Sequence, residues 1–152
     1  MTTWIIRVGD GENLRNSKYP YWGVKRSGGI KTVVDKFKDG DLLSFLTSKK
    51  HGGKIIGIAK YTHHLDRKDC GITGSYSNKE QNWKGDEDWD IIIHYKNFYD
   101  IENYKHFDAV IQCGGTILKY ETFKAKDKYK DLPDISFHYT YHNKYITPKK
   151  FG

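Results

Sequence analysis

The chain has 152 residues, with 26 lysines and arginines against 19 aspartates and glutamates, a formal net charge of +7, and 15% aromatic residues. That length holds one core comfortably and two poorly, and the supply of Tyr, Ile, Trp and Val excludes a disordered chain. No run of eighteen apolar residues is present, which argues against a membrane-spanning helix, and the basic surplus points to an anionic partner.

Met1 to Val8 is strand-like from the outset, with no charged-then-apolar leader, so a soluble, intracellular protein is expected. The two cysteines, Cys70 and Cys113, make no CxxC pair and read as free thiols in a reducing compartment. Of the 26 basic residues 22 are lysine, a side chain suited to diffuse phosphate attraction rather than bidentate base readout.

In chain order, Trp4 to Val8 reads as the first strand and Gly9 to Asn16 as a polar loop. Trp22 sits between Pro20 and Gly23 in a loop and is followed by Lys25 and Arg26, so a ring able to stack lies beside phosphate-seeking cations. A short helix follows from about Ile30 to Lys38, then a Gly40-Asp41 turn, a strand from Leu42 to Thr47, a Gly52-Gly53 turn and a strand from Lys54 to Tyr61. Asp66 to Asp88, with Tyr76 and Trp83 among glycines and polar residues, is too long for a mere connector and reads as a functional loop. Trp89 to Tyr95 and Ala109 to Cys113 read as buried strands, with a short amphipathic segment from Tyr99 to Phe107 between them. Thr116 to Tyr129 suits a helix, and the aromatic-polar alternation from Phe137 to Ile146 predicts a final strand. The sum is an α+β domain with a strongly curved mixed sheet or small barrel and two or three flanking helices.

Several residues combine into a larger pattern: Trp22-Gly23-Val24, then basic residues, a helix, Lys38-x-Gly40-Asp41, an apolar strand ending at Ser48, and Ile56-Gly57-Ile58-Ala59. With the later Trp89-Asp90-Ile91-Ile92-Ile93, this order resembles the EVE-like branch of the PUA-like superfamily, whose relatives include the YTH domains. The likeness is clearest from Trp4 to Lys96; the closing strand of the family has at most a divergent counterpart between Thr140 and Pro148. It implies a single PUA-like domain over residues 1–152 and a noncatalytic reader of a modified or flipped-out base in DNA or RNA. In that family the tryptophan matching Trp89 helps form the base cavity.

The candidate ligand-binding residues are accordingly Trp22, Trp89, Trp83, Tyr76, Ser48 and Asn13. Rings can enclose a methyl group that offers no hydrogen bond, and stacking a base on one is worth roughly 1 to 3 kcal/mol. Ser48 and Asn13 could read the base edge, or could equally be turn residues. Trp4 reads as core, and Trp89 as core or cavity wall. Lys25, Arg26, Lys49, Lys50 and Lys54 form the candidate phosphate-contacting rim. A partner nuclease, helicase or methyltransferase would suit so small a module, which is expected to be a monomer.

Enzymatic signals are weak. There is no GxSxG, P-loop or GxGxxG sequence. His63 and His64 are adjacent and would face opposite sides of a strand, while His138 and His142 would lie about 13 Å apart in one. Asp86, Glu87, Asp88 and Asp90 read as a solvated loop. No metal, cofactor or catalytic residue is assigned. The alternative is a hydrolase or nuclease of the neighbouring ASCH-like group, into whose lysine-threonine-glutamate scheme Lys31 and Thr32 could be drawn, without a glutamate placed beside them.

Overall fold

The structure, a computed structural model, describes residues 1–70, 76–102, 109–112, 115–145 and 148–151, with the side chains of 69–70 and 142–145 left aside. It is an α+β fold built on six strands: β1 (Thr3–Arg7), β2 (Tyr21–Val24), β3 (Leu42–Leu46), β4 (Ile55–Asp66), β5 (Ile91–Asp100) and β6 (Ile117–Lys119). Short helices punctuate them: α1 (Glu12–Asn16), α2 (Ile30–Val34), α3 (Arg67–Cys70), α4 (Asn78–Gln81), α5 (Tyr120–Lys124) and α6 (Ile135–Tyr145). The sheet order is β2-β5-β4-β3-β1-β6, with β1 and β3 parallel and every other pair antiparallel. The hydrogen-bonded sheet is open, and β2 and β6 are its edges.

Period-two alternation fills both faces. From β1 and β3, Trp4, Ile6, Leu43 and Phe45 join one core cluster, while Ile5, Leu42 and Leu46 join a second beneath α5 and α6. The first cluster also takes Tyr21, Trp22 and Val24 from one edge strand and Ile117 from the other. The sheet therefore wraps around this core and brings its two ends toward each other. Gly57 permits the wrap's tight packing, because a Cβ there would lie 2.5 Å from the Phe98 ring.

Asp41, at the predicted turn, anchors the β1–β3 pair. Its carboxylate accepts hydrogen bonds from Trp4 Nε1 at 2.9 Å, Lys38 N at 3.0 Å and Thr2 N at 3.1 Å. Burial pushes this carboxyl up, and these donors outweigh it, so it titrates below the usual aspartate range.

Several sequence expectations are corrected. Trp22 lies in a strand, because β2 pairs with β5 in the register Trp22↔Ile93. The polar loop after β1 contains α1. The predicted strands at Lys54 and Trp89 lengthen into a β4–β5 hairpin reaching Asp66 and Asp100, kinked by two register shifts. Part of the long loop is helical: Ser77 Oγ accepts from Glu80 N at 3.1 Å and Glu80 Oε2 from Tyr76 N at 3.2 Å, which starts α4. From Ala109 to Gln112 there is an isolated bridge, Lys54↔Val110, rather than a strand, and Cys113 lies outside the described residues. Residues 103–107 of the expected amphipathic segment also lie outside them. Thr116 to Tyr129 divides into β6, α5 and a 3₁₀ turn at Asp127–Tyr129.

The predicted last strand is helix α6. Pro133 precedes it, Asp134 Oδ1 accepts from Phe137 N at 3.1 Å, and Ile135 and Tyr139 turn the same face to the second core. The spacing of four between those two buried residues, not the local alternation, decides the period. No helix among the described residues is long and apolar enough to cross a membrane.

Candidate functional site

Where the two ends of the sheet approach, they leave a cavity of about 420 Å³. Its wall takes Trp22, Gly23, Val24 and Lys25 from β2 and its extension, Arg7 at the end of β1 with Val8 to Asp10 after it, and Trp89 from the segment leading into β5. Asn13, Ser27, Ile30 and Thr116 complete it. The volume falls within the roughly 300–1,000 Å³ of small-ligand pockets. Of the sequence candidates, Trp22, Trp89, Asn13 and Lys25 meet here.

Gly23 sets the position of Trp89. A Cβ on this glycine would stand 2.5 Å from Trp89 Cγ, 2.7 Å from its Cβ and 2.9 Å from Cδ1, so the indole lies directly on the β2 backbone. Asn78 Oδ1 on α4 accepts from Trp89 Nε1 at 2.7 Å, and Arg67 Nη1 donates to the Trp89 carbonyl at 2.9 Å while pairing with Asp88 at 2.6 Å. Lys25 Nζ stands over the indole at 5.4 Å from its centre and donates to the Asp88 carbonyl. A cation and a ring thus share one wall.

Trp22 is backed by Trp83, whose ring centre is 4.9 Å away and which also meets Trp89 edge-on at 6.4 Å. Trp83 itself is buried and donates to Ser17 Oγ at 2.8 Å, so it supports the two cavity rings from behind. Gln81, with 0% exposure, holds β2 in place: its Nε2 donates to the Tyr19 carbonyl at 2.7 Å and to the Tyr21 carbonyl at 3.0 Å. Asn78 and Gln81 were missed by sequence reasoning. The Ser77-x-x-Glu80 capping pattern was the signal that could have revealed their helix.

Asn13 is occupied by other contacts, and the remaining candidates lie outside the cavity. Asn13 reaches the cavity, yet its amide is engaged with the Lys84 backbone, accepting at 2.9 Å and donating at 3.4 Å. Ser48 opens the 3₁₀ turn Lys49–His51 and donates its N–H to the Gly9 carbonyl at 2.8 Å, one residue removed from the wall. Lys49, Lys50 and Lys54 are exposed around that turn, outside the cavity. Arg26 pairs with the buried Asp66 at 3.3 Å. Tyr76, at a positive φ of 63°, packs edge-on against Tyr21 and His94.

His94 is stacked on His63 across the β4–β5 ladder with ring centres 4.4 Å apart. Burial, assisted by His63, pushes its pKa down to about 4, so the ring is neutral at pH 7. Lys31, the candidate of the enzymatic alternative, pairs with Asp35 at 2.9 Å and Asp66 at 3.8 Å; neither it nor Thr32 lines the cavity. The described residues contain no group of three His, Cys, Asp or Glu able to hold a metal ion.

No family model matches this chain, and no curated protein sequence matches it significantly. Among solved structures it is similar to a hypothetical protein from Leishmania major, at 11% identity and a TM-score of 0.41, covering 91% of this chain and 83% of that one. It is also similar to Rpa0253 from Rhodopseudomonas palustris, at 11% identity and a TM-score of 0.44, covering 100% and 86%. A Pseudomonas putida protein follows at 15% identity and a TM-score of 0.39, covering 86% and 82%. Likeness at this level carries no argument about fold family or activity.

Proposed function

We propose that the protein is a noncatalytic nucleic-acid-binding module that takes a modified or extruded base between Trp22 and Trp89. The observation that carries this reading is that both rings line one cavity whose wall also bears Lys25 and Arg7. A base inserted there meets π surface, and its phosphate meets cations. An open, curved sheet with a core on each face is compatible with a PUA-like, EVE-like architecture, to which the Trp22-Gly23-Val24 sequence also points.

Charge separates this reading from another use of aromatic cages. A site for a quaternary ammonium group would shun cations, whereas here Lys25 and Arg7 line the wall and Asp10 is the carboxylate among its described lining residues. Polarity favours an anionic ligand with a flat, neutral head. An ASCH-like hydrolase has less support, since Lys31 is tied into two ion pairs outside the cavity.

The test is a binding panel of short single- and double-stranded oligonucleotides, unmodified or bearing methylated or hydroxymethylated cytosine or methylated adenine. Tighter binding of one modified form without turnover is the expected result. Cleavage of the oligonucleotide, or equal affinity for every member, would overturn the reading.

A further inference from the structure

The cavity continues beyond the tryptophans. A shallow groove of about 380 Å³ is lined by Ser27 to Ile30, Val33 and Gly115 to Leu118, and it shares Ser27, Ile30 and Thr116 with the cavity. Gly115 and Thr116, which lead into β6, and Ile117 and Leu118 within it line the groove in succession, whereas one face of a strand would present only alternate residues. The groove therefore follows the edge of β6 that faces away from β1, its one partner strand among the described residues. Its opposite bank is the Gly28-Gly29 turn, where both residues have left-handed φ values of +66° and +79° and a Cβ would meet nothing within 4 Å.

The groove's chemistry differs from that of the cavity. No charged residue is among its described lining residues; Ser27 and Thr116 are shared with the cavity, and Ile30, Val33, Ile117 and Leu118 supply apolar surface. A phosphate would be poorly served along its length, while a second flat base or a sugar would find an apolar bank and hydroxyl donors at the point where the chain crosses.

Resting on the base-reading role proposed above, we infer that cavity and groove form one track for two consecutive nucleotides of a single strand. The first base enters between Trp22 and Trp89. The neighbouring nucleotide lies against Ile30, Val33 and Leu118, with the linking phosphate near Ser27 and Thr116. Two adjacent bases so placed have both left a duplex stack, so the natural substrate is unpaired nucleic acid rather than a duplex from which one base is flipped.

The experiment is a titration, followed by calorimetry, with four probes carrying methylated adenine and a parallel set carrying methylated cytosine: the nucleoside monophosphate, a dinucleotide, a single-stranded pentamer and that pentamer annealed to its complement. The dinucleotide is expected to bind at least fivefold more tightly than the monophosphate, and the single-stranded pentamer more tightly than its duplex. Val33→Trp, which fills the groove from α2, should bring the dinucleotide down to the affinity of the monophosphate. Its fold is checked by circular dichroism, and the ligand series decides the matter without it. A dinucleotide no tighter than the monophosphate, or a duplex bound as well as the single strand, overturns the two-nucleotide track and leaves the base-reading role standing. Failure of every probe to bind overturns both.

Discussion

Replacing Gly23 with alanine is the sharpest perturbation of the cavity, because it adds one methyl group at the contact that positions Trp89. The new Cβ would stand 2.5 Å from Trp89 Cγ and 2.7 Å from its Cβ, against an ordinary carbon–carbon separation of about 3.5–4.0 Å. The indole must retreat by about 1 Å, and it is restrained by Asn78 at 2.7 Å and by Arg67 on its carbonyl at 2.9 Å. Overpacking of this kind costs roughly 1–3 kcal/mol, while alanine's gain over glycine in a strand is smaller. Urea unfolding of Gly23→Ala should show a lower midpoint at unchanged slope. Preference for the modified base should fall by about tenfold, a part of the roughly 1–3 kcal/mol that base stacking supplies. A variant as stable as the parent and equally selective would refute the packing account of Gly23 and the assignment of Trp89 to the ligand wall.

Trp22→Ala and Trp89→Ala should abolish the preference for modified over unmodified base, whereas Lys25→Ala should lower affinity for all oligonucleotides about equally. Because Trp22 is 8% exposed, its truncation also costs about 3–5 kcal/mol, so binding is compared well below the melting temperature of each variant. Overall affinity should fall with salt at roughly 0.7–0.9 log units per phosphate contact for each log unit of salt; a flat response over a tenfold range would count against a cationic interface. His94 makes the protein sensitive to acid: its folded pKa is about 4, below the ~6.5 of an unfolded histidine, so the unfolded chain takes up the proton first. Its stability contribution is complete above about pH 6.5 and is lost as pH falls toward 4, and His94→Leu should flatten the melting temperature across that window. Asp41→Ala should cost about 1–3 kcal/mol by orphaning the Trp4 indole donor, readable as a shift in the unfolding midpoint.

The sequence marked the central strands plainly, because Leu42 to Leu46, broken only by Ser44, and Ile91 to Ile93 are apolar stretches bounded by turn residues or charges. It also brought Trp22, Trp89, Asn13 and Lys25 forward as site residues, and the structure gathers these four in one wall. What it hid were features decided by tertiary contact. Strand β2 is four residues long, follows a proline and contains a glycine, so local preference spoke for a loop; pairing with β5 overrode it. In α6, β-forming aromatics masked a helix whose Asp134 cap and Ile135–Tyr139 face lie at spacings of three and four. Trp83 looked ligand-facing because its neighbours in sequence are polar, yet the Ser17 hydroxyl satisfies its N–H in the interior. The roles of Asn78 and Gln81 depend on side chains reaching across more than ten residues, which no local pattern records.

The most direct test of the base-reading cavity is to follow the indole N–H resonances of the four tryptophans by nitrogen-15 NMR, while adding a single-stranded oligonucleotide bearing the preferred modified base. Trp22 and Trp89 line the cavity, Trp83 lies behind them, and Trp4 is held by Asp41 away from it. The expected result is large, saturable shifts for Trp22 and Trp89, a smaller one for Trp83 and none for Trp4, with the unmodified oligonucleotide giving weaker shifts at the same concentration. Saturable binding that leaves the Trp22 and Trp89 resonances in place would contradict the account.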